Sequence, residues 1–156
     1  MDAVSEGLEQ ALAAVIANDR ARTVAAAGAL TADPERAFEL LRYIAWAALR
    51  DVGGPDGLSS EQQEEVSWAL RGPASPWAAV FGPGVLEAVV RVLAGGGTDL
   101  SGVPRDEVVP ALLAVAAYAV VRPVPSAEWF DWRQHYRAVV GSFMHWQERA
   151  AQPAAS

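Results

Sequence analysis

The sequence predicts an all-α fold: a compact single-domain array or bundle of six to seven helices around a central apolar helix. Three observations predict it. Apolar residues recur at three- and four-residue spacing along most of the chain, and no stretch alternates as a half-buried strand would. Helix start and stop signals punctuate the sequence at intervals that suit short helices. Residues 108–121 form an unbroken apolar run, the pattern of a helix enclosed by others. A chain of 156 residues suits one domain, drawn here at residues 1–149 with a frayed tail at 150–156.

The first helix is expected over residues 5–27, with Leu8, Leu12, Val15 and Ile16 on one face and Gly28 as its C-cap. Asp33-Pro34-Glu35 supplies an N-cap, a proline at the first helical position and an acid near the positive end of the dipole. The second helix stops at Gly53-Gly54-Pro55, and Phe38, Leu41, Ile44, Ala45, Ala48, Leu49 and Val52 form its buried sector. Ser60 with Gln63 reads as a capping box for a third helix that ends at Gly72-Pro73. Ser75-Pro76 opens a short helix, interrupted at Gly82-Pro83-Gly84. Leu86, Val89, Val90 and Leu93 line the next, which Gly95-Gly96-Gly97 ends, beginning a mobile loop to Gly102. Pro104 opens the apolar helix, Pro123 and Pro125 force an extended joint, and Ser126 caps a last helix reaching about Arg149.

Composition removes several chemistries. The chain is 52% hydrophobic and 20% charged, as globular proteins are. It has no cysteine, hence no disulfide, thiolate catalysis or Cys-type zinc site. All 12 basic residues are arginine, so a P-loop lysine and Schiff-base lysines are excluded. The expected source of that bias is the GC-rich codon usage of a bacterial genome, with selection against lysine modification as the alternative. The net charge of −7 and the absence of any arginine run argue against nucleic acid and against an anionic membrane. Asp2 and Glu6 precede the first apolar run, unlike a secretory signal, and the longest apolar run is too short and carries Pro110. A cytoplasmic protein is expected.

The histidines, His135 and His145, lie ten residues apart on the last helix and diverge by about 80°, so they cannot share a metal within it. Asp131, His135 and Ser142 fall in one strip. The serine, seven residues beyond the histidine, lies about 10 Å along the axis, too far for a nucleophile and its base. An Asp131–His135 pair at i,i+4 survives. The glycine clusters lack the strand-to-helix context of a phosphate-binding loop. No metal and no cofactor is expected.

Six tryptophans are the strongest positive signal. Trp129 and Trp132 join Tyr136, Val139, Val140 and Phe143 on one face of the last helix, with Trp146 at its margin, and Trp77 reads as a plug over the core. Trp46 falls outside the buried sector of its helix, among Glu35, Glu39, Arg42 and Arg50. Trp68 lies nearly opposite Val66, Ala69 and Leu70, beside Glu61, Glu64 and Arg71. Tryptophan and arginine dominate binding hot spots. The expected function is therefore a small helical protein-interaction module, an adaptor, accessory subunit or self-associating protein. Trp46, Arg42, Arg50 and Trp68 are its partner-binding candidates. The alternative is a protein that binds an apolar small molecule in an inter-helix pocket. Trp129, Trp132, Tyr136, His135, Asp131 and Trp146 would line that pocket, and an acid–base enzyme using it is the weaker variant.

Overall fold

The computed structural model describes residues 3–19, 21–22, 25–26, 33–53, 57–71, 84–95, 99–122 and 131–151, and six α-helices are delimited among these described residues. They are α1 (Ala3–Ile16), α2 (Pro34–Gly53), α3 (Ser60–Arg71), α4 (Val85–Ala94), α5 (Val108–Val120) and α6 (Trp132–Ala151). Among the described residues there is no strand, and their regular structure is all helical. No described helix is long and apolar enough to cross a membrane. Expectations at Gly28, Gly54-Pro55, residues 72–83, 96–98, 123–130 and 152–156 lie outside the described residues.

α1 is shorter than its apolar pattern suggests. Asn18 adopts the left-handed conformation at φ 55°. The Asp19 N–H donates to Ala14 O at 2.9 Å and the Asn18 N–H to Val15 O at 3.0 Å. This is a Schellman closure with asparagine in place of the usual glycine, and it ends the helix about ten residues before the predicted stop. Asp19 then accepts from the Arg22 N–H at 3.1 Å, starting a new turn. Leu8, Leu12 and Val15 are buried, whereas Ile16 is exposed.

α2 begins as its start signal predicts, with Asp33 Oδ1 accepting from the Arg36 N–H at 3.3 Å. Its inward stripe is Ala37, Leu40, Leu41, Ile44, Ala45, Ala48 and Leu49; Phe38 and Val52 pack half-buried at its margin. α2 ends at Gly53, where a Cβ would lie 2.7 Å from the Leu58 backbone nitrogen, so only glycine admits the returning chain.

The α3 capping box is shifted by one residue from the predicted pair. Ser59 Oγ accepts from the Gln62 N–H at 3.2 Å, and Gln62 Oε1 accepts from the Ser59 N–H at 2.9 Å. The second half of the loop after α4 is anchored rather than mobile: Leu100 and Val103 are buried, and an Asx turn joins Asp99 Oδ1 to the Ser101 N–H at 3.0 Å. Hydrogen bonds to Ser101 hold the Asp99 carboxyl below its usual range.

α5 starts at Val108, four residues after Pro104, because residues 104–107 make a separate turn closed by Glu107 N–H to Pro104 O. Pro110 sits in its first turn, where no N–H is needed for the helical ladder. Nine of its 13 residues are buried, five of them alanines, which let neighbouring backbones approach. α5 packs most extensively on α2 and also contacts α1, α3, α4 and α6. α6 starts at Trp132, where Asp131 Oδ1 accepts from the backbone N–H groups of Arg133 and Gln134.

Candidate functional site

α2 and α6 run antiparallel, and three contacts along their seam fix the register. Arg36 near the start of α2 donates to Gln147 Oε1 at 3.2 Å near the end of α6. Midway, the rings of Tyr43 and Phe143 lie 5.1 Å apart. At the far end Asp51 Oδ2 lies 3.0 Å from His135 Nε2.

His135 is buried, at 1% exposure, on the inner face of α6. Its Nδ1 lies 3.2 Å from Val120 O, the last carbonyl of α5. A carbonyl only accepts, so Nδ1 carries a proton and donates. Nε2 lies 3.0 Å from Oδ2 of Asp51, a carboxylate 43% exposed. Both ring nitrogens are thus engaged by protein. Asp131 is not the partner expected from i,i+4 spacing. Its carboxylate turns back to cap the helix, the favoured use of an aspartate one residue before the first turn. Ser142 Oγ donates to Ala138 O on its own helix, away from His135. Among the described residues no group of three or more His, Cys, Asp or Glu could hold a metal ion.

The aromatic stripe of α6 divides between core and surface. Tyr136 is fully buried, and its hydroxyl donates to Ser5 O on α1. Val139, Val140 and Phe143 are buried beside it. Trp132 is half-buried, edge-on to Tyr136 at 6.4 Å, with the Arg133 guanidinium 4.7 Å from its ring centre. Trp146 is 59% exposed and leans on Phe143. Trp129 lies outside the described residues, as does Trp77.

Trp46 does not stand out from α2 as the helical wheel suggests. It is half-buried against the core, 5.6 Å from the Tyr43 ring, with the exposed Arg50 guanidinium 5.5 Å over its face. Arg42 is half-buried. A wheel of one helix shows Tyr43 and Arg50 as neighbours of Trp46 but not how far the indole leans onto the core. Burial raises the Tyr43 hydroxyl above its usual pKa, the Asp51 charge adds to the rise, and Arg50 opposes it.

A buried carboxylate and its arginine partners also escaped the sequence reading. Glu9 on α1 is buried, and its Oε1 lies 3.4 Å from Arg133 Nη1 and 3.2 Å from Arg137 Nη2 on α6. A glutamate beside Leu8 on an otherwise apolar face was the available signal, since lone buried carboxylates are rare unless paired.

α3 offers the sharpest contrast between faces. Val66 and Leu70 are buried at 3% exposure each, whereas Trp68 is 75% exposed. Glu61, Glu64 and Glu65 are exposed. At 100° per residue they fall within about 60° of Trp68 on the wheel. The structure therefore places the candidate tryptophans in different settings, Trp46 at the core margin beside Arg50 and Trp68 in solvent. No protein-family model matches this sequence, and no curated protein and no solved structure matches it either.

Proposed function

We propose that the protein is a helical interaction module and that the outer face of α3, centred on Trp68, is its docking surface. Helices packed about α5 serve as the rigid platform. The exposure of Trp68 carries the reading: a large indole at 75% exposure on a helix whose other face is buried. Covering such a ring removes apolar area from water at about 25 cal/mol per Å², and tryptophan is the commonest hot-spot residue. Trp68, rather than Trp46, carries the contact in this reading, because Trp46 and Arg50 already satisfy each other. Engagement of both His135 nitrogens weighs against acid–base chemistry at the α2–α6 seam.

The test is affinity capture on immobilised wild-type protein and on Trp68→Ala, with melting of both measured. The expected result is equal melting and loss of a stoichiometric protein partner from the variant. Equal capture by both proteins contradicts the proposal.

A further inference from the structure

We infer that the partner docks on α3 through a basic segment, placing an arginine or lysine side chain over the Trp68 indole. The inference rests on the interaction-module reading and names the chemistry of its partner. Two independent features point to a cation. The face of an indole carries negative quadrupole density and attracts a guanidinium or ammonium, tryptophan most strongly of the aromatic side chains. Glu61, Glu64 and Glu65 are exposed and lie on the Trp68 side of α3, and with Arg71 on that side in the sequence the face still carries a net negative charge. The whole chain adds to this: a net charge of −7 steers basic partners toward it and repels a second copy. A neutral apolar partner would leave three carboxylates at the rim unmatched, and an acidic one would face them directly.

The probe is a synthetic peptide of alternating arginine and alanine, blocked at both ends, with a glutamate-for-arginine version as its control. It is titrated into the full chain, and binding is followed by calorimetry at low and moderate salt. Four proteins are compared: wild type, Trp68→Ala, the pair Glu64→Gln with Glu65→Gln, and the pair Glu39→Gln with Glu148→Gln. Glu39 and Glu148 are exposed on α2 and α6, so the last pair removes the same charge elsewhere. The expected result is binding of the arginine peptide that weakens with salt. Trp68→Ala should weaken it about tenfold and the α3 glutamine pair at least about threefold. The Glu39/Glu148 pair and the glutamate peptide should show no such effect, the first binding like wild type and the second not at all. Equal weakening by the two glutamine pairs, or full binding by Trp68→Ala, would mean bulk charge alone and overturns the inference. So does a wild-type mass that rises with concentration and falls back in Trp68→Ala, because the occupant would then be a second copy. The two proposals fail separately. If Trp68→Ala loses the captured partner while the peptide does not bind and the α3 glutamine pair keeps that partner, only the basic chemistry is wrong. If Trp68→Ala keeps the partner, the docking surface itself is wrong.

Discussion

The imidazole of His135 bridges Asp51 on α2, 3.0 Å from Nε2, and the last carbonyl of α5, 3.2 Å from Nδ1. One ring thus ties three helix ends together: the last turn of α2, the end of α5 and the first turn of α6. His135→Ala should cost about 2–4 kcal/mol, since it opens a cavity and leaves Val120 O without its side-chain donor. Asp51→Ala should cost less, about 1 kcal/mol, because that carboxylate is nearly half-exposed and screened by solvent. Denaturant midpoints of both single variants and the double variant give the coupling. Strictly additive losses would contradict a direct bond between them.

The end of α1 is set by one residue. Asn18 holds a left-handed conformation that costs a residue with an ordinary Cβ about 1–2 kcal/mol. Asn18→Gly should leave stability equal or raise it, and Asn18→Ala should lower it by about 1 kcal/mol. Thermal melts of the two variants check this. Stabilisation by alanine would mean that the helix runs on through residue 18.

Two adjacent serines differ in role. Ser59 exchanges hydrogen bonds with Gln62, while Ser60 is the first residue of α3. Ser59→Ala should cost about 1 kcal/mol, as loss of an N-cap does, and Ser60→Ala within about 0.5 kcal/mol of nothing. Chemical denaturation of the pair gives the comparison, and the reverse order would restore the capping box at Ser60 and Gln63.

Tyr43 makes the fold sensitive to alkali. Burial first, then the Asp51 charge, raise its folded pKa above the ordinary value of 10.0. The unfolded chain therefore releases this proton first as pH climbs, and the folded state binds more protons in that window. The Tyr43 contribution is fully present below about pH 10 and declines as pH rises toward the folded value. With no lysine and no cysteine, tyrosines dominate titration there. Tyr43→Phe should flatten the alkaline fall in stability, followed by denaturant midpoints at stepped pH. An unchanged fall would show that Tyr43 is not its source.

Local signals were legible in the sequence and long-range partners were not. Asp33-Pro34 reads correctly because the cap and the backbone N–H it satisfies lie three residues apart. The buried faces of α2 and α4 follow from periodicity for the same reason. The α1 stop was missed although the chain's single asparagine marks it, because alanines continue the apolar pattern beyond it. His135 was paired with the nearest carboxylate on its own helix, but its partner lies 84 residues away on α2. Trp46 reads as outward on an isolated wheel, and its packing against the core, which the wheel does not contain, shows its half-burial. Trp68 lies where the wheel puts it, since α3 carries its glutamates on the same side and nothing apolar there to draw a neighbour.

The most direct measurement is the affinity of Trp68→Ala for the captured partner, taken on a sample whose melting is recorded alongside. Trp68 is in solvent, so its truncation should change stability by less than about 0.5 kcal/mol. The same truncation should weaken association by about thirtyfold, the loss typical of a hot-spot tryptophan. Full affinity with unchanged melting would contradict a docking role for α3. A large drop in melting temperature would contradict the exposure on which that role rests.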